Sequence, residues 1–205
     1  DLDVRLVKGA FIDGGAISGS VKIVDAAGGP HAKLNLTADG AILPGSKIAI
    51  RKGGIVAEGP LSDLPYQADL EGLSASDRWA VKGHGVFSPD KGVYQLTFDG
   101  GGRYGRRELK TAETAVLRFG DSERSARLRL LGPEGGRIDV DGRLAKDVAD
   151  IRAKVEQLNL GLLNADLTGK ADATLTLTGK GGRLEGVLDA KLDDARGRGS
   201  PRELG

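Results

Sequence analysis

Apolar and polar residues alternate with a period of two from Ala171 to Asp193. Ala171, Ala173, Leu175 and Leu177 alternate with Asp172, Thr174, Thr176 and Thr178. After Gly179-Lys180-Gly181-Gly182, Leu184, Gly186, Leu188, Ala190 and Leu192 alternate with Arg183, Glu185, Val187, Asp189 and Lys191. This pattern predicts two strands, each with one dry and one wet face. The glycine turn between them predicts an antiparallel pair.

The same pattern recurs upstream. Leu2, Val4 and Leu6 predict a first short strand, and Ile17, Gly19, Val21 and Ile23 a second, ending at Ala27-Gly28-Gly29-Pro30. Ala32, Leu34, Leu36 and Ala38 predict a third. Lys47 to Arg51 and Ile55 to Gly59 read as two short strands separated by Gly53-Gly54. Tyr66, Ala68 and Leu70 follow, then Trp79, Val81 and Gly83, then a turn over Ser88 to Gly92. Tyr94, Leu96 and Phe98 alternate and are expected to stop at Gly100-Gly101-Gly102. Further strands are predicted at Ala115 to Phe119, Ala126 to Leu130 and Ile138 to Leu144. About a dozen strands with glycine-rich turns and no strict repeat indicate an all-β fold.

One segment fits two periods. Leu144, Val148, Ile151, Val155 and Leu158 suit an amphipathic helix, while Ile151, Ala153 and Val155 also alternate as in a strand. Residues 146–157 are therefore open between helix and strand. Leu158 to Asn164 reads as a strand end passing into one helical turn. Arg196 to Gly205, rich in Gly, Arg and Pro, reads as a flexible tail or linker after a single elongated β segment spanning 1–195.

Composition narrows the function classes. Thirty basic residues balance 29 acidic ones, which argues against a nucleic-acid partner. Glycine is abundant, at 33 of 205 residues, without a collagen period. Aromatics are only 4%, so a core stacked on large rings is not expected. There is no Cys, so no disulfide or thiolate site. No apolar run reaches the roughly 18 residues of a membrane helix, and no signal peptide is evident. The absence of Met suggests a segment of a longer chain.

Candidate chemistry is sparse. His31 and His84 lie among glycines without Cys partners, and a zinc site is not expected. Asp139-Val140-Asp141-Gly142 lacks the regular oxygen spacing of a calcium loop, so its aspartates are assigned to the wet face of a strand. Gly100-Gly101-Gly102-Arg103-Tyr104-Gly105-Arg106-Arg107 reads as a solvated basic loop; contact with single-stranded nucleic acid or anionic lipid is the weaker alternative. No nucleophile elbow, phosphate loop or zinc-protease motif occurs. The expectation is a protein without catalytic residues, metal or cofactor.

A sheet with one apolar face must cover it, and few helices are available, so the sheet is expected to curl on itself. Glycines inside the strands permit such curvature. The result is an elongated, curled antiparallel or mixed sheet with at most one or two helical turns. Its interior is either a packed core or a hydrophobic groove able to hold acyl chains. The candidate liners are Leu34, Leu36, Ile48, Ile50, Leu70, Val81, Leu96, Phe98, Leu117, Phe119, Leu128, Leu130, Ile138, Val140, Leu175, Leu177, Leu184 and Leu188.

Within Ile151 to Asp193, Leu158-Asn159-Leu160-Gly161-Leu162-Leu163 is followed by Gly169 to Gly179 and then Leu184-Glu185-Gly186-Val187-Leu188. This succession resembles the TamB family, the inner-membrane component of the translocation and assembly module, related to AsmA-like proteins. The resemblance covers about a quarter of the chain. It implies a β-taco, a curled sheet enclosing a hydrophobic groove. It also implies a periplasmic location within a protein anchored in the inner membrane of Gram-negative bacteria. The implied partners are phospholipid acyl chains, a TamA-like outer-membrane barrel reached through other parts of the full-length protein, and unfolded outer-membrane proteins. The implied roles are phospholipid transport between the two membranes and outer-membrane protein assembly. A chaperone-like module that binds incoming strands by β-augmentation, and an extracellular β-helical stalk with a filled core, are the competing readings.

Overall fold

A computed structural model describes residues 12–45, 48–74, 77–105, 107–146, 148–164, 166–180 and 183–197, together with the backbone path of 2–7. Lys47, Arg106, Asp147, Gly181-Gly182 and the tail from Arg198 onward lie outside the described residues. The fold is all-β, and every strand pair recorded within either unit is antiparallel. Two compact units divide the chain, Asp1–Gly105 and Arg106–Gly205.

The first unit is a meander of seven strands, each paired with the next: β1 Leu2–Val7, β2 Gly14–Ala26, β3 Gly29–Ile42, β4 Ile48–Pro60, β5 Leu64–Ser74, β6 Asp77–Asp90 and β7 Val93–Tyr104. A 3-10 turn, Leu61–Asp63, joins β4 to β5. The second unit contains β8 Arg107–Thr111, β9 Ala115–Gly120, β10 Glu123–Leu131, β11 Arg137–Ala145, β12 Val148–Asn159, β13 Leu167–Lys180 and β14 Arg183–Gly197. Strands β9 and β8 both flank β10, and from β10 to β14 each strand pairs with the next. Two more 3-10 turns, Pro133–Gly135 and Leu160–Leu162, connect strands here.

Three expectations change. The two short strands on either side of Gly53-Gly54 are one strand, β4. A register shift between Ile50 and Lys52 places an extra residue there, and Gly53 takes a φ of 146°. The triple glycine at 100–102 does not end a strand but lies inside β7, and Arg103 pairs with Ala80, so of the basic loop expected at 100–107 the described part that turns is Gly105, between β7 and β8. The turn expected at 88–92 shrinks to Lys91-Gly92, both at positive φ, with β6 extending through Pro89 to Asp90.

The ambiguity at 146–157 resolves to strand β12. Its helix-like spacing has a specific origin. Val155 pairs with Ala173 but Leu158 with Ala171, so β12 carries an extra residue near Gln157, whose φ is 49°. The amide of Gln157 donates to Asp172 Oδ1 at 2.8 Å, which satisfies the displaced backbone. A bulge lets residues three apart share a face, so Val155 and Leu158 mimic helical periodicity.

Burial is concentrated in small residues. Of the buried apolar residues, eight are alanines; the others are Ile12, Leu64, Leu158 and Leu160. In the first unit, Ile12, Ala38 and Ala41 pack with Ile17 and Ile50, while Ala32, Ala57 and Leu64 pack with Leu34, Leu61 and Tyr66. In the second unit, Leu160, Ala171 and Ala195 pack with Leu167. Leu160 opens the 3-10 turn that follows β12, and Asn159 Oδ1 caps it by accepting from the Gly161 amide at 3.0 Å.

Leu160→Ala is therefore predicted to destabilise the second unit by about 2–4 kcal/mol, because it empties the middle of that cluster. Chemical denaturation of the full chain checks this. A loss within experimental error would show that the turn does not anchor the unit.

Candidate apolar binding faces

Antiparallel pairing puts directly opposed residues on the same side of a sheet. In the second unit, register sets Leu117 opposite Ala126, Leu128 opposite Val140, and Leu130 opposite Ile138. Val140 then faces Ala153, which faces Leu175, which faces Leu188. Ile151 continues this face between Gly142 and Leu177. Phe119 and Leu184 extend it at one end of the strands, opposite Arg124 and Gly179. All ten candidate liners of this unit therefore share one side. Sequence reasoning omitted Ile151, Ala153 and Val155 from the liners because their period was ambiguous, although the 151-153-155 alternation marked them.

These side chains are not packed away. None of the eighteen candidate liners belongs to the buried core. Leu117 and Phe119 are about two-fifths exposed, and Leu184 and Leu188 are 69% and 65% exposed. Leu128, Leu130, Ile138, Val140, Leu175 and Leu177 are half-buried. Fully packed leucines would be almost wholly covered. The second unit thus carries a continuous aliphatic face that is not filled by side chains of its own.

The first unit also gathers its candidates on one side. Leu34 lies between Val21 and Ala57, Leu36 between Gly19 and Ile55, and Leu70 between Gly53 and Val81. Ile50 faces Gly72 and Leu96 faces Phe87. Ile48 and Phe98 follow two residues from Ile50 and Leu96, on the same strand faces.

Here the surface is different in kind. Of the chain's eight aromatics, only Phe119 falls after Gly105. Rings lie over glycines of a neighbouring strand and, for Phe98, of its own strand as well. A Cβ on Gly72 would stand 2.6 Å from Trp79 Cζ2, one on Gly83 2.5 Å from the Phe98 ring, and one on Gly100 2.8 Å from it. Aromatic rings laid across strand glycines replace the missing side-chain contacts. The composition average concealed this segregation.

Tyr66 shows how tightly that lane is built. Its hydroxyl reaches from β5 past Gly85 of β6 and donates to the Thr97 carbonyl of β7 at 2.7 Å. Burial, and secondarily the Asp99 carboxylate, push the phenol above its ordinary pKa. The neutral hydroxyl, which can donate, is the form the fold favours.

The opposite face of each sheet is polar. In the second unit Arg129 is 18% exposed, pairs with Asp139 and Asp141, and donates to the carbonyls of Leu128 and Val140. Arg137 holds Asp139 through two oxygens at 2.9 and 3.0 Å, and that bond raises the Arg137 pKa. Asp139 and Asp141 are thus wet-face ion-pair partners, as the alternation indicated. A shallow hollow of about 400 Å³ on this face is lined by Arg118, Arg127, Arg143 and Arg152 with Asp141 and Asp150. In the first unit, His84 lines an open hollow of about 620 Å³ with Gln67, Asp69, Lys82 and Asp99. His31 Nδ1 lies 3.2 Å from the Gly29 carbonyl. Among the described residues no three His, Asp or Glu side chains converge in a metal-binding arrangement.

Tyr66→Phe is predicted to cost about 1 kcal/mol through the lost hydrogen bond. Gly85→Ala is predicted to cost about 1–3 kcal/mol, because its Cβ would crowd both the Thr97 carbonyl and the Tyr66 hydroxyl. Both changes act at Thr97, so a double-mutant cycle should show coupling above about 0.5 kcal/mol. Simple additivity in urea titrations would refute the shared contact. Comparison with known protein families, curated proteins and solved structures finds no match for this chain.

Proposed function

We propose that the chain is a groove-forming segment of a TamB-like protein that conducts phospholipids by their acyl chains. In this reading it lies in the periplasm, as part of a protein anchored in the inner membrane. Lipids would pass between inner and outer membranes, with a TamA-like barrel engaged by other parts of the protein. Support for outer-membrane protein assembly belongs to the same reading.

The observation that carries it is the uncovered aliphatic face of the second unit. Each methylene moved from water onto such a surface gains about 0.8 kcal/mol. The face from β9 to β14 is almost wholly aliphatic over its central rows, so it presents no polar group that would fix one headgroup or one chain position. A surface of that kind holds an acyl chain without locking it in place. Catalytic residues have no part in this mechanism. The polar hollows on the opposite face are separated from the aliphatic face by the sheet itself.

Photocrosslinking in Gram-negative cells tests the proposal. A photoreactive residue at Leu128 or Leu175 should yield phospholipid adducts, while one at Thr174, on the polar face beside Leu175, should not. Leu175→Arg should leave the chain folded, lower the melting temperature by only about 2–4 °C, and abolish adducts at Leu128. Adducts with nascent outer-membrane polypeptides alone, or equal lipid labelling at Thr174, would exclude a lipid-conducting face.

A further inference from the structure

The aliphatic side of the second unit ends in a cation. Its last row runs Phe119, Arg124, Leu144, Ala149, Gly179 and Leu184, from β9 to β14. Among the described residues paired on this side of those strands, Arg124 is the one that carries a charge. It is exposed, and the two residues directly opposed to it, Phe119 and Leu144, are exposed apolar side chains. An arginine in such a setting can cover apolar neighbours with its methylenes while its guanidinium stays in water.

Arg124 differs from the arginines of the opposite face. There Arg127, Arg129, Arg137, Arg143 and Arg152 each have a carboxylate partner. Arg124 has no ion pair among the described residues, and the adjacent Glu123 is held by Arg143 at 2.9 Å. The same end of the strands carries Lys146 after β11, Lys180 at the end of β13 and Arg183 at the start of β14. These three also have no ion pair among the described residues. Lys180 and Arg183 are directly opposed, a like-charge pair that repels. Against these four cations, Asp121 and Glu185 are the described carboxylates of that end outside an ion pair.

We propose that Arg124 binds the phosphate of a net-negative phospholipid at this basic rim, with the acyl chains lying over the rows inward of it. This deepens the acyl-chain reading above and rests on it: the central rows hold the chain, and the end row chooses the headgroup. Leu128 lies four residues along β10 from Arg124, about 13 Å at the rise of a strand, so a lipid with its phosphate at Arg124 has its chains over the Leu128 row. The planar guanidinium can offer two parallel N–H donors to phosphate oxygens, which an ammonium cannot do in that geometry. Lys146, on the neighbouring strand, and Lys180 and Arg183 further along the rim add a positive field. That field favours a headgroup with net negative charge over one whose own ammonium cancels the phosphate.

Photocrosslinking of the purified full chain, with a photoreactive residue at Leu128, tests this. The probes are short-chain phosphatidylglycerol, phosphatidylcholine and diacylglycerol with the same acyl chains. Each is used below its micelle concentration, so that no lipid surface takes part. Phosphatidylglycerol should label at about fivefold lower concentration than diacylglycerol, the effect of one exposed charge contact, with phosphatidylcholine between them. Arg124→Gln should abolish that preference and Arg124→Lys should keep part of it. Arg118→Gln, an exposed cation on the polar side of β9, should leave it intact. Circular dichroism should show all three variants folded, since both positions are exposed. Equal labelling by the three lipids, a preference that survives Arg124→Gln, or one lost equally in Arg118→Gln would each overturn the headgroup inference while leaving acyl-chain binding in place. A fall in labelling by phosphatidylglycerol and diacylglycerol alike in Arg124→Gln would also overturn it, because Arg124 would then serve the acyl surface. No adduct with any of the lipids would overturn the acyl-chain reading itself, and this inference with it.

Discussion

Strand register is the constraint on which the rest of each unit depends. A sheet whose residues alternate strictly has no intermediate state: a slip of one position exchanges the whole apolar set for the polar one. In the second unit the row Leu128, Val140, Ala153, Leu175 and Leu188 crosses five strands without a polar interruption. The adjacent row on the other face runs Arg127, Asp141, Arg152 and Thr176. The hydrophobic preference of one row and the ion pairs of the other therefore select the same register. The individual surface pairs are weak, but their agreement with the apolar pattern makes the alignment specific.

Bulges preserve this arrangement where the strands must bend. Each recorded register shift has an extra residue, and each leaves apolar or small residues three apart on a common face. Ala38 and Ala41 straddle Gly40, Ile50 and Gly53 straddle Arg51, Val155 and Leu158 straddle Gln157, and Leu192 and Ala195 straddle Asp194. Gly40, Gln157 and Asp194 all have positive φ, the backbone signature of chain that has turned out of the ladder. Three of these sites also lie at buried clusters, through Ala41, Leu160 next to Leu158, and Ala195. Bulge and core thus arise at the same positions.

This explains what could be read from sequence. The hairpin at Ala171–Asp193 was legible because its central pairing has no bulge and a period of two suffices. The face of each candidate liner was legible for the same reason. Residues 146–157 were not, because the bulge at Gln157 puts Val155 and Leu158 on one face three residues apart, and Val148, on the opposite face, adds an apolar residue that also fits a helical spacing. The continuity of β4 was concealed by glycines that act as bulge and contact sites rather than turns. Coverage was also illegible: periodicity says which face a leucine occupies but not whether another layer packs over it. The contrast between units depended on where the few aromatics fall, which a composition average cannot convey.

The contrast bears on how much apolar surface each unit leaves uncovered by its own side chains. In the first unit, rings lying on glycines consume part of the apolar surface within the sheet itself, and Tyr66 ties two strands across a third. In the second unit, leucine, isoleucine and alanine side chains stand side by side without such a cover, leaving a larger contiguous surface than an isolated exposed leucine would. Removing that surface from water is favourable for any sufficiently long apolar ligand, and little in its central rows prefers one ligand position over the next. The half-covered aliphatic face of the second unit, and not its small buried clusters, is therefore the property on which the proposed binding of an acyl chain rests.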